Sequence, residues 1–276
     1  MPTINYAQRY SDIVDEVFRL GALTNSIVNQ QYSWVDVDTV KVYSIPTVSM
    51  TDYTLTGSAR YGVASELQNV IQTMTLQQDR SFTFTVDRKS VDDTMGVMAA
   101  AAALRRQIEV VAIPEIDAYR IAALVAGAGN SVATEATKSN AYEVFLNMQE
   151  QLDEDKAPVG GRVAMVTPAF YNKLKLDPSF LKNADLGQRM LLNGQVGEVD
   201  GVPIVKVPSS YFPAGVHALI TNPICAPSPI KLQDFKIHDN PPGINGFLVE
   251  GRLRYDCFVL TNKADGIVYN GVASTT

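Results

Sequence analysis

The chain has 276 residues, of which 46% are apolar and 19% are charged, so it is long enough for one large domain or two modest domains with a packed core. These proportions are ordinary for a globular protein. No apolar run approaches the roughly 20 residues that a membrane span needs, and the first residues lack a basic and then apolar signal peptide. We therefore expect no membrane partner and a protein made in the cytosol.

The net charge of −6 argues against tight binding to nucleic acid, because neutralisation of phosphates by a basic face or tail supplies most non-specific affinity. In the first thirty residues, two arginines stand against three carboxylates, which gives a net charge of −1. The sequence contains no basic arm. A chain of this charge would not condense nucleic acid.

No motif in the sequence predicts catalysis or a bound cofactor. The GxxxxGK[ST] phosphate loop, the GxSxG nucleophile turn, HExxH and CxxC are all missing from the sequence. Gly127 and Gly129 lack the third glycine of a dinucleotide site and are better explained by the end of a helix. His217 and His238 stand 21 residues apart, whereas a metal site needs three or four convergent donors. We therefore predict that the protein is not an enzyme, with no catalytic, cofactor-binding or metal site.

The two cysteines, Cys225 and Cys257, leave two interpretations. They could form a disulfide. Two thiols in a large chain without an export signal are more often reduced residues of the core, and the sequence favours this second interpretation.

Residues 1–30 contain a short helical pattern after Ser11, with apolar residues recurring up to Leu20. Two interpretations remain open for this segment. It is either a helix docked on its own body or an arm that packs on a neighbouring copy.

The next segments predict a long β-ribbon. Residues 34–56 alternate valines with polar residues and contain Pro46, which indicates an edge or a break. Residues 57–66 form the predicted tip, and residues 69–88 return as the second strand. Two strands of about 20 residues would extend roughly 65 Å at 3.3 Å per residue, whereas a body of this length has a radius of gyration of about 19 Å. Because an isolated two-stranded ribbon is barely stable, we expect this one to rest on other copies of the chain.

The period of the apolar residues changes near Ser90 from two residues to that of a helix. Residues 82–86 alternate as in a half-buried strand, and Ser90 with Asp93 predicts a capping box. The helix that follows should kink or restart at Pro114 and stop at Gly127. Its predicted apolar stripe consists of Val97, Ala101, Leu104, Ile108 and Val111.

Residues 131–227 alternate between helical and strand patterns and predict an inserted α/β subdomain. Residues 162–166 predict a short buried strand. Thr167 followed by Pro168 predicts a capped start of a helix, and Asp200-Gly201 predicts a turn into a further strand.

The last fifty residues return to strands. Residues 231–238 and 247–261 predict a second hairpin, and residues 267–269 predict a final short strand. Strands on both sides of the insert indicate an α+β body that is built from discontinuous pieces.

With these elements in place, the sequence resembles the major capsid proteins of tailed bacteriophages, which have the Hong Kong 97 fold. The segments that carry the resemblance are QDRSFTFTVDRKSVDDT, IPEIDAYRIAAL, GEVDGVPIVKVPSSYFP and VEGRLRYDCFVLTNKADGIVYN. They follow the family's order along nearly the whole chain. The fold that the resemblance implies is α+β, with an N-terminal arm (1–30), an extended β-hairpin loop (31–90), a spine helix of the peripheral domain (91–130), an axial domain (131–227) and return strands of the peripheral domain (228–276).

The resemblance implies a structural protein that self-assembles into hexamers and pentamers of an icosahedral shell around double-stranded DNA. The location would be the virion capsid, assembled in the cytoplasm of a bacterial host. The partners would be further copies of the chain, a separate scaffolding protein, a portal and a decoration protein. Hairpin 34–88 would lie across an adjacent subunit. Because residues 57–66 contain no lysine, we do not expect the isopeptide cross-link that some relatives form.

Large aromatic and charged side chains on the hairpin and the helix are the predicted contacts between subunits, because buried aromatic residues concentrate binding energy at interfaces. These candidates are Trp34, Arg80, Phe82, Phe84, Arg105 and Arg106. Two alternatives to a phage capsid remain at this point. One is an encapsulin-type nanocompartment of the same fold, and the other is a soluble α/β enzyme with an unfamiliar site.

Overall fold

The computed structural model describes residues 23–30, 39–44, 47–64, 66, 70–88, 98–179 and 197–271. The chain divides into a smaller unit, Trp34–Leu76, and a larger unit formed by Met1–Ser33 and Gln77–Thr276. The predicted helix after Ser11 and the predicted capping box at Ser90 and Asp93 lie outside the described residues.

The smaller unit contains a two-stranded antiparallel sheet. Strand β1 spans Thr39–Ser44 and strand β2 spans Val70–Thr75, with Thr39 opposite Thr75 and Ser44 opposite Val70. The predicted hairpin is therefore present, but each strand has six residues, or about 20 Å, instead of the predicted 20 residues. Residues 47–64 between the strands form a loop without regular secondary structure.

The prediction that residues 69–88 form one returning strand of the ribbon is wrong for the second half of this range. Residues Gln78–Asp87 form a separate strand, β3, which belongs to the larger unit. This strand pairs with β10 (Gly246–Tyr255), which also pairs with β9 (Ile230–Asp239) in a three-stranded antiparallel sheet of order β3-β10-β9. Its alternating apolar side chains are thus covered by its own unit, whereas the prediction placed them on the ribbon. The predicted hairpin of β9 and β10 is confirmed.

A long helical segment covers the inner face of this sheet. Helix α1 spans Met98–Gln107, a π-helical turn spans Ile108–Ala112, and helix α2 spans Ile113–Ala126. Pro114 lies in the first turn of α2, directly after the π-helical turn. The prediction was a kink or a restart at this proline; the structure has a π-helical turn directly before it, while the backbone of Ala112 and Ile113 stays helical.

Gly127 ends α2, as predicted, although not in the left-handed conformation that usually ends a helix at glycine. Its φ is −96° and its amide donates to the carbonyl of Ala123. A Cβ at this position would collide with the side chain of Val259. Close packing, not backbone conformation, therefore explains the glycine.

The π-helical turn shifts the predicted apolar stripe by one residue. Leu104 and Ile108 are buried as predicted, but Val111 is exposed and Ala112 is buried in its place. A π-turn closes hydrogen bonds between residues i and i+5. The residue that follows Ile108 on the buried face of the helix is therefore four positions later in the chain instead of three. Val97 lies outside the described residues.

The second sheet has six strands in the order β4-β11-β8-β5-β7-β6. Its strands β4 to β8 and β11 span Asn130–Val132, Val163–Val166, Glu198–Val199, Val202–Lys206, Val216–Thr221 and Ile267–Gly271. The sheet is mixed, because β11 is parallel to β4, and β5 is parallel to β7, while β8 is antiparallel to both β11 and β5. The sequence placed β11 with the return strands, whereas the structure places it inside this sheet.

Both faces of the six-stranded sheet are covered by helices. Helices α3 (Ala141–Glu154) and α4 (Pro168–Leu176) pack on one face, where Phe145, Met148 and Phe170 are fully buried. The other face packs on α2 through Ile121 and Leu124. Short 3-10 turns connect the elements at Leu23–Ser26, Ser209–Tyr211, Pro223–Cys225 and Thr261–Gly266.

The local sequence signals in this α/β region are confirmed. The Thr167 side chain accepts a hydrogen bond from the Phe170 amide at 3.3 Å and so caps α4. Asp200 and Gly201 both have positive φ, the conformation that a two-residue hairpin turn requires. Within the described residues, no helix has the length and apolar character needed to cross a membrane.

Candidate intersubunit surface

The loop of the smaller unit exposes an unusual number of large apolar side chains. Met50 is fully exposed, and Leu55, Tyr61 and Val63 are each more than four-fifths exposed. In the described part of this unit, the other exposed large apolar residues are Tyr43, Val48, Tyr53, Val70 and Ile71. Contiguous exposed apolar groups usually mark an interaction site. We call residues 47–64 the apolar loop.

Hydrogen bonds within the apolar loop set its shape without burying these side chains. The Thr54 amide donates to the Arg60 carbonyl at 3.1 Å, and the Thr51 hydroxyl donates to the Tyr61 carbonyl at 3.2 Å. The rings of Tyr53 and Tyr61 meet edge to face with centroids 5.0 Å apart. Gly62 has a φ of +87°, which a residue with a side chain rarely adopts. The loop therefore presents its apolar groups in a defined arrangement.

Sequence reasoning placed a tip in this segment but did not single out its apolar residues. The signal was present, because Met50, Leu55 and Val63 interrupt a segment that is otherwise rich in threonine, serine and glycine. An exposed tip of that composition has no need of such side chains unless another surface covers them.

The aromatic residues predicted for the interface, Phe82 and Phe84, lie partly buried in the larger unit. Their rings stack with centroids 6.3 Å apart, and Phe82 also contacts Phe235 with centroids 6.1 Å apart. Both pack on the apolar cluster that includes Leu253 and residues of the long helix. Their contacts are those of an ordinary core, and a role between subunits stays a prediction. Trp34 lies outside the described residues.

Arg80 stands on the same face of β3 as Phe82 and forms an ion pair with Glu115 of α2, with Nε 2.6 Å from Oε1. This hydrogen bond raises the pKa of the arginine. The pair lies beside a cavity of about 210 Å³ that Val111 and Tyr255 also line. Burial raises the pKa of Tyr255 to about 12, so its hydroxyl stays protonated at neutral pH.

The two arginines predicted on the helix differ in their partners. Arg105 forms an ion pair with Glu109 one turn later, with Nε 2.8 Å from Oε1. Arg106 is exposed, and no acidic side chain in the described part of the chain forms an ion pair with it. Arg106 is therefore the better candidate of the two for a contact with another molecule.

The outer face of the three-stranded sheet is charged but internally paired. Arg252 donates two hydrogen bonds to Asp79, at 2.9 and 2.6 Å, and these hydrogen bonds hold the pKa of Asp79 below its usual value. His238 lies 3.1 Å from the carboxylate of Glu250. The ion pair of Arg252 with Asp79 leaves little excess positive charge for phosphate binding there, in agreement with the overall net charge.

A buried polar group on α2 was missed by the sequence analysis. Asp117 and Arg120, one turn apart, are almost completely buried and bind Thr24 near the start of the described chain. The detectable signal was a pair of charges on the apolar face of IPEIDAYRIAAL. Two buried charges in such a segment require partners, and here residues far away in the sequence supply them.

The histidines and cysteines take ordinary structural positions. His217 is an exposed residue of β8, and His238 is an exposed residue of β9. Cys225 and Cys257 are both free and buried. Among the described residues, no group of three or more histidine, cysteine or acidic side chains could hold a metal ion.

No protein-family model matches the sequence, and no curated protein matches it. Solved structures match it over most of their length. A structure from Mycobacterium phage Che8 has a TM-score of 0.72 at 16% identity and covers 90% of this chain and 89% of its own. The capsid structure of cyanophage P-SCSP1u has a TM-score of 0.69 at 12% identity, with 92% and 89% covered.

A virus-like particle from Pyrococcus furiosus has a TM-score of 0.61 at 13% identity, with 97% of this chain and 100% of that chain covered. At these identities the likeness establishes the fold. The resemblance to the capsid proteins of tailed bacteriophages is thereby confirmed for the architecture, and the chain has the fold of a phage capsid protein of the Hong Kong 97 type.

Proposed function

We propose that the chain is the major capsid protein of a tailed bacteriophage and that copies of it assemble into the hexamers and pentamers of an icosahedral shell. The observation that carries this proposal is the apolar loop, whose shape is set by internal hydrogen bonds while its large side chains remain exposed. In an isolated subunit, the exposed arrangement of these side chains would not stabilise the fold. A neighbouring copy would cover them.

Modest contacts are sufficient for such an assembly. Full burial of a side chain such as Leu55 contributes about 1.5–3 kcal/mol, so the four most exposed side chains of the loop could together contribute several kcal/mol per subunit. Closed symmetry repeats this contact in every copy, and each subunit is held by several neighbours at once. A stable shell therefore needs no single strong interface.

The charge of the chain suits a wall around double-stranded DNA. A net charge of −6, together with the paired charges on the outer sheet face, gives weak attraction for phosphates. DNA could then be packed and released without adhering to the wall. The proposal assigns the protein a structural and non-enzymatic role in the virion capsid, with assembly in the cytoplasm of the bacterial host.

The finer parts of the proposal follow from the likeness to phage capsid structures. The long helix α1–α2 would be the spine, residues 131–227 the axial domain, and the smaller unit the extended loop. A separate scaffolding protein, a portal and a decoration protein would be the other partners. The likeness to the Pyrococcus particle keeps an encapsulin-type compartment as the second candidate, and the higher TM-scores of the Che8 and P-SCSP1u structures favour the capsid.

The test is the size of the purified protein, measured by sedimentation and electron microscopy. We expect particles above a megadalton for the wild type. A variant with Met50, Leu55 and Val63 changed to serine should remain a small species with an unchanged urea midpoint, because these side chains are exposed in the isolated subunit. The matched control changes three exposed apolar residues of the larger unit, Val159, Leu176 and Ile224, to serine and should still assemble. A wild type that stays a small oligomer, or a loop variant that assembles normally, would refute the proposal.

A further inference from the structure

Residues 23–30 form a strap that packs on helix α2 and is held there by two buried charges. Asp117 accepts hydrogen bonds from the amides of Leu23 and Thr24, at 3.0 and 3.3 Å, and from the Thr24 hydroxyl at 2.5 Å. Arg120 donates to the Thr24 hydroxyl at 2.9 Å and to the Asn25 side chain at 3.0 Å. Both charges belong to the helix, and most of their partners belong to the strap.

Apolar and backbone contacts complete the docking of the strap. Ile27 is fully buried and Val28 nearly so, in the cluster that covers one face of the six-stranded sheet. The amide of Asn29 donates to the Ala226 carbonyl at 2.8 Å, and the amide of Ser228 donates to the Asn29 carbonyl at 2.9 Å. The strap is thus a short segment with a defined position within the larger unit.

The docked strap carries an electrostatic penalty that opposes its apolar contacts. Docking removes Asp117 and Arg120 from water, and the burial lowers the pKa of Arg120. One guanidinium nitrogen of Arg120, Nη2, is buried without a hydrogen-bond partner among the described residues. Release of the strap would open the side of both charges that faces residues 23–30, where water could replace the lost hydrogen bonds, while Arg120 would keep its hydrogen bond to Ser228. Release is therefore less unfavourable than the loss of an equal area of purely apolar core.

We propose that the strap opens as a separate local unit, while the rest of the larger unit stays folded, and that its opening exposes the thiol of Cys257. This cysteine is buried in the same cluster as Ile27 and lies beside Arg120 and Ser228, two residues that the strap contacts. A local opening of this kind gives the subunit a second conformation of its N-terminal region that a binding partner can select. The inference goes beyond assembly and does not depend on it.

Thiol labelling measures this opening directly. The rate at which Ellman's reagent modifies Cys257 is followed at pH 8 in a Cys225→Ala background, with and without urea. Local opening predicts that the labelling rate at low urea depends less steeply on urea concentration than global unfolding does, because local opening exposes little surface. Labelling with the same urea dependence as global unfolding would overturn the proposal.

Paired variants separate local from global opening. Thr24→Val removes the hydroxyl that joins Asp117 and Arg120 and should accelerate labelling about tenfold, since both hydrogen bonds involve charged groups. Thr24→Ser should label like the wild type. Thr221→Val makes the same change at a buried threonine in β8 and should leave the rate unchanged, as should Gly251→Ala, which weakens the three-stranded sheet. Unaltered labelling in Thr24→Val, or faster labelling in Gly251→Ala, would show that the strap does not open separately.

Discussion

Gly251 and Phe82 stand directly opposite each other on β10 and β3, and the ring of Phe82 covers the glycine so closely that no Cβ would fit between them. The ring of Phe235, on the other neighbouring strand, approaches the same point. The glycine thus creates the space in which two aromatic rings meet over the centre of the sheet.

Gly251→Ala should therefore destabilise the subunit by about 1–3 kcal/mol, the usual effect of forcing an extra group into a packed core. Urea unfolding of the unassembled subunit measures this loss. Gly160→Ala is the matched control, because no atom lies within 4 Å of the Cβ it would add, and it should change stability by less than about 0.5 kcal/mol. Equal stabilities for the two variants would contradict this account of the sheet.

The same sheet explains where the sequence analysis failed. The alternation of Phe82 and Phe84 correctly predicted a strand with one apolar face. It could not reveal that the covering strand, β10, lies more than 150 residues later in the chain. Signals of short range were reliable, as the Thr167 cap and the Asp200-Gly201 turn demonstrate, because neighbouring residues alone decide them.

The sequence predicted only part of the candidate surface, for a related reason. A periodic pattern assumes a regular helix, and the π-helical turn at Ile108–Ala112 exposes Val111, which the regular pattern buries. The binding role of Asp117 and Arg120 depends on Thr24, some 90 residues away, so no local pattern indicates it. The apolar loop was recognisable by composition but not by any periodicity.

The cap of helix α4 offers a second test of stability. The Thr167 side chain accepts the hydrogen bond of the Phe170 amide, which would otherwise be unpaired in a buried position. Thr167→Ala should lower the free energy of unfolding by about 1 kcal/mol, whereas Thr167→Ser keeps the oxygen and should lower it much less. Urea titration of both variants checks the difference. If the alanine and serine variants unfold at the same midpoint, the hydroxyl does not act as a cap.

The arginines of α1 test the predicted contacts between subunits. Arg106 has no ionic partner among the described residues, whereas Arg105 is paired with Glu109. Arg106→Ala should therefore weaken assembly and raise the subunit concentration at which particles form, with an unchanged urea midpoint of the subunit. Arg105→Ala should leave assembly near the wild type, since an exposed pair within a helix contributes only about 0.3–0.5 kcal/mol. Light scattering against concentration compares the two, and an identical onset for Arg106→Ala and the wild type would remove Arg106 from the interface.

Cys257 makes the subunit sensitive to alkaline conditions. Burial raises the pKa of its thiol from 9.0 to about 12 in the folded protein. Because the unfolded chain loses this proton first, the stability contributed by the protonated thiol is complete below pH 9 and declines as the pH rises from 9 towards 12. At pH 10 the loss for this one group is of order 1 kcal/mol.

The variant Cys257→Ala should therefore lose less stability than the wild type between pH 8 and pH 10, by an amount of order 1 kcal/mol, whatever stability the substitution itself removes at both values. Tyr119 and Tyr255 also have raised pKa values, but they are present in both proteins and cancel in the comparison. The measurement is urea unfolding under reducing conditions at the two pH values. Parallel losses in the wild type and the variant would mean that the thiol ionises as readily in the folded subunit as in the unfolded chain, which would contradict the effect of burial on its pKa.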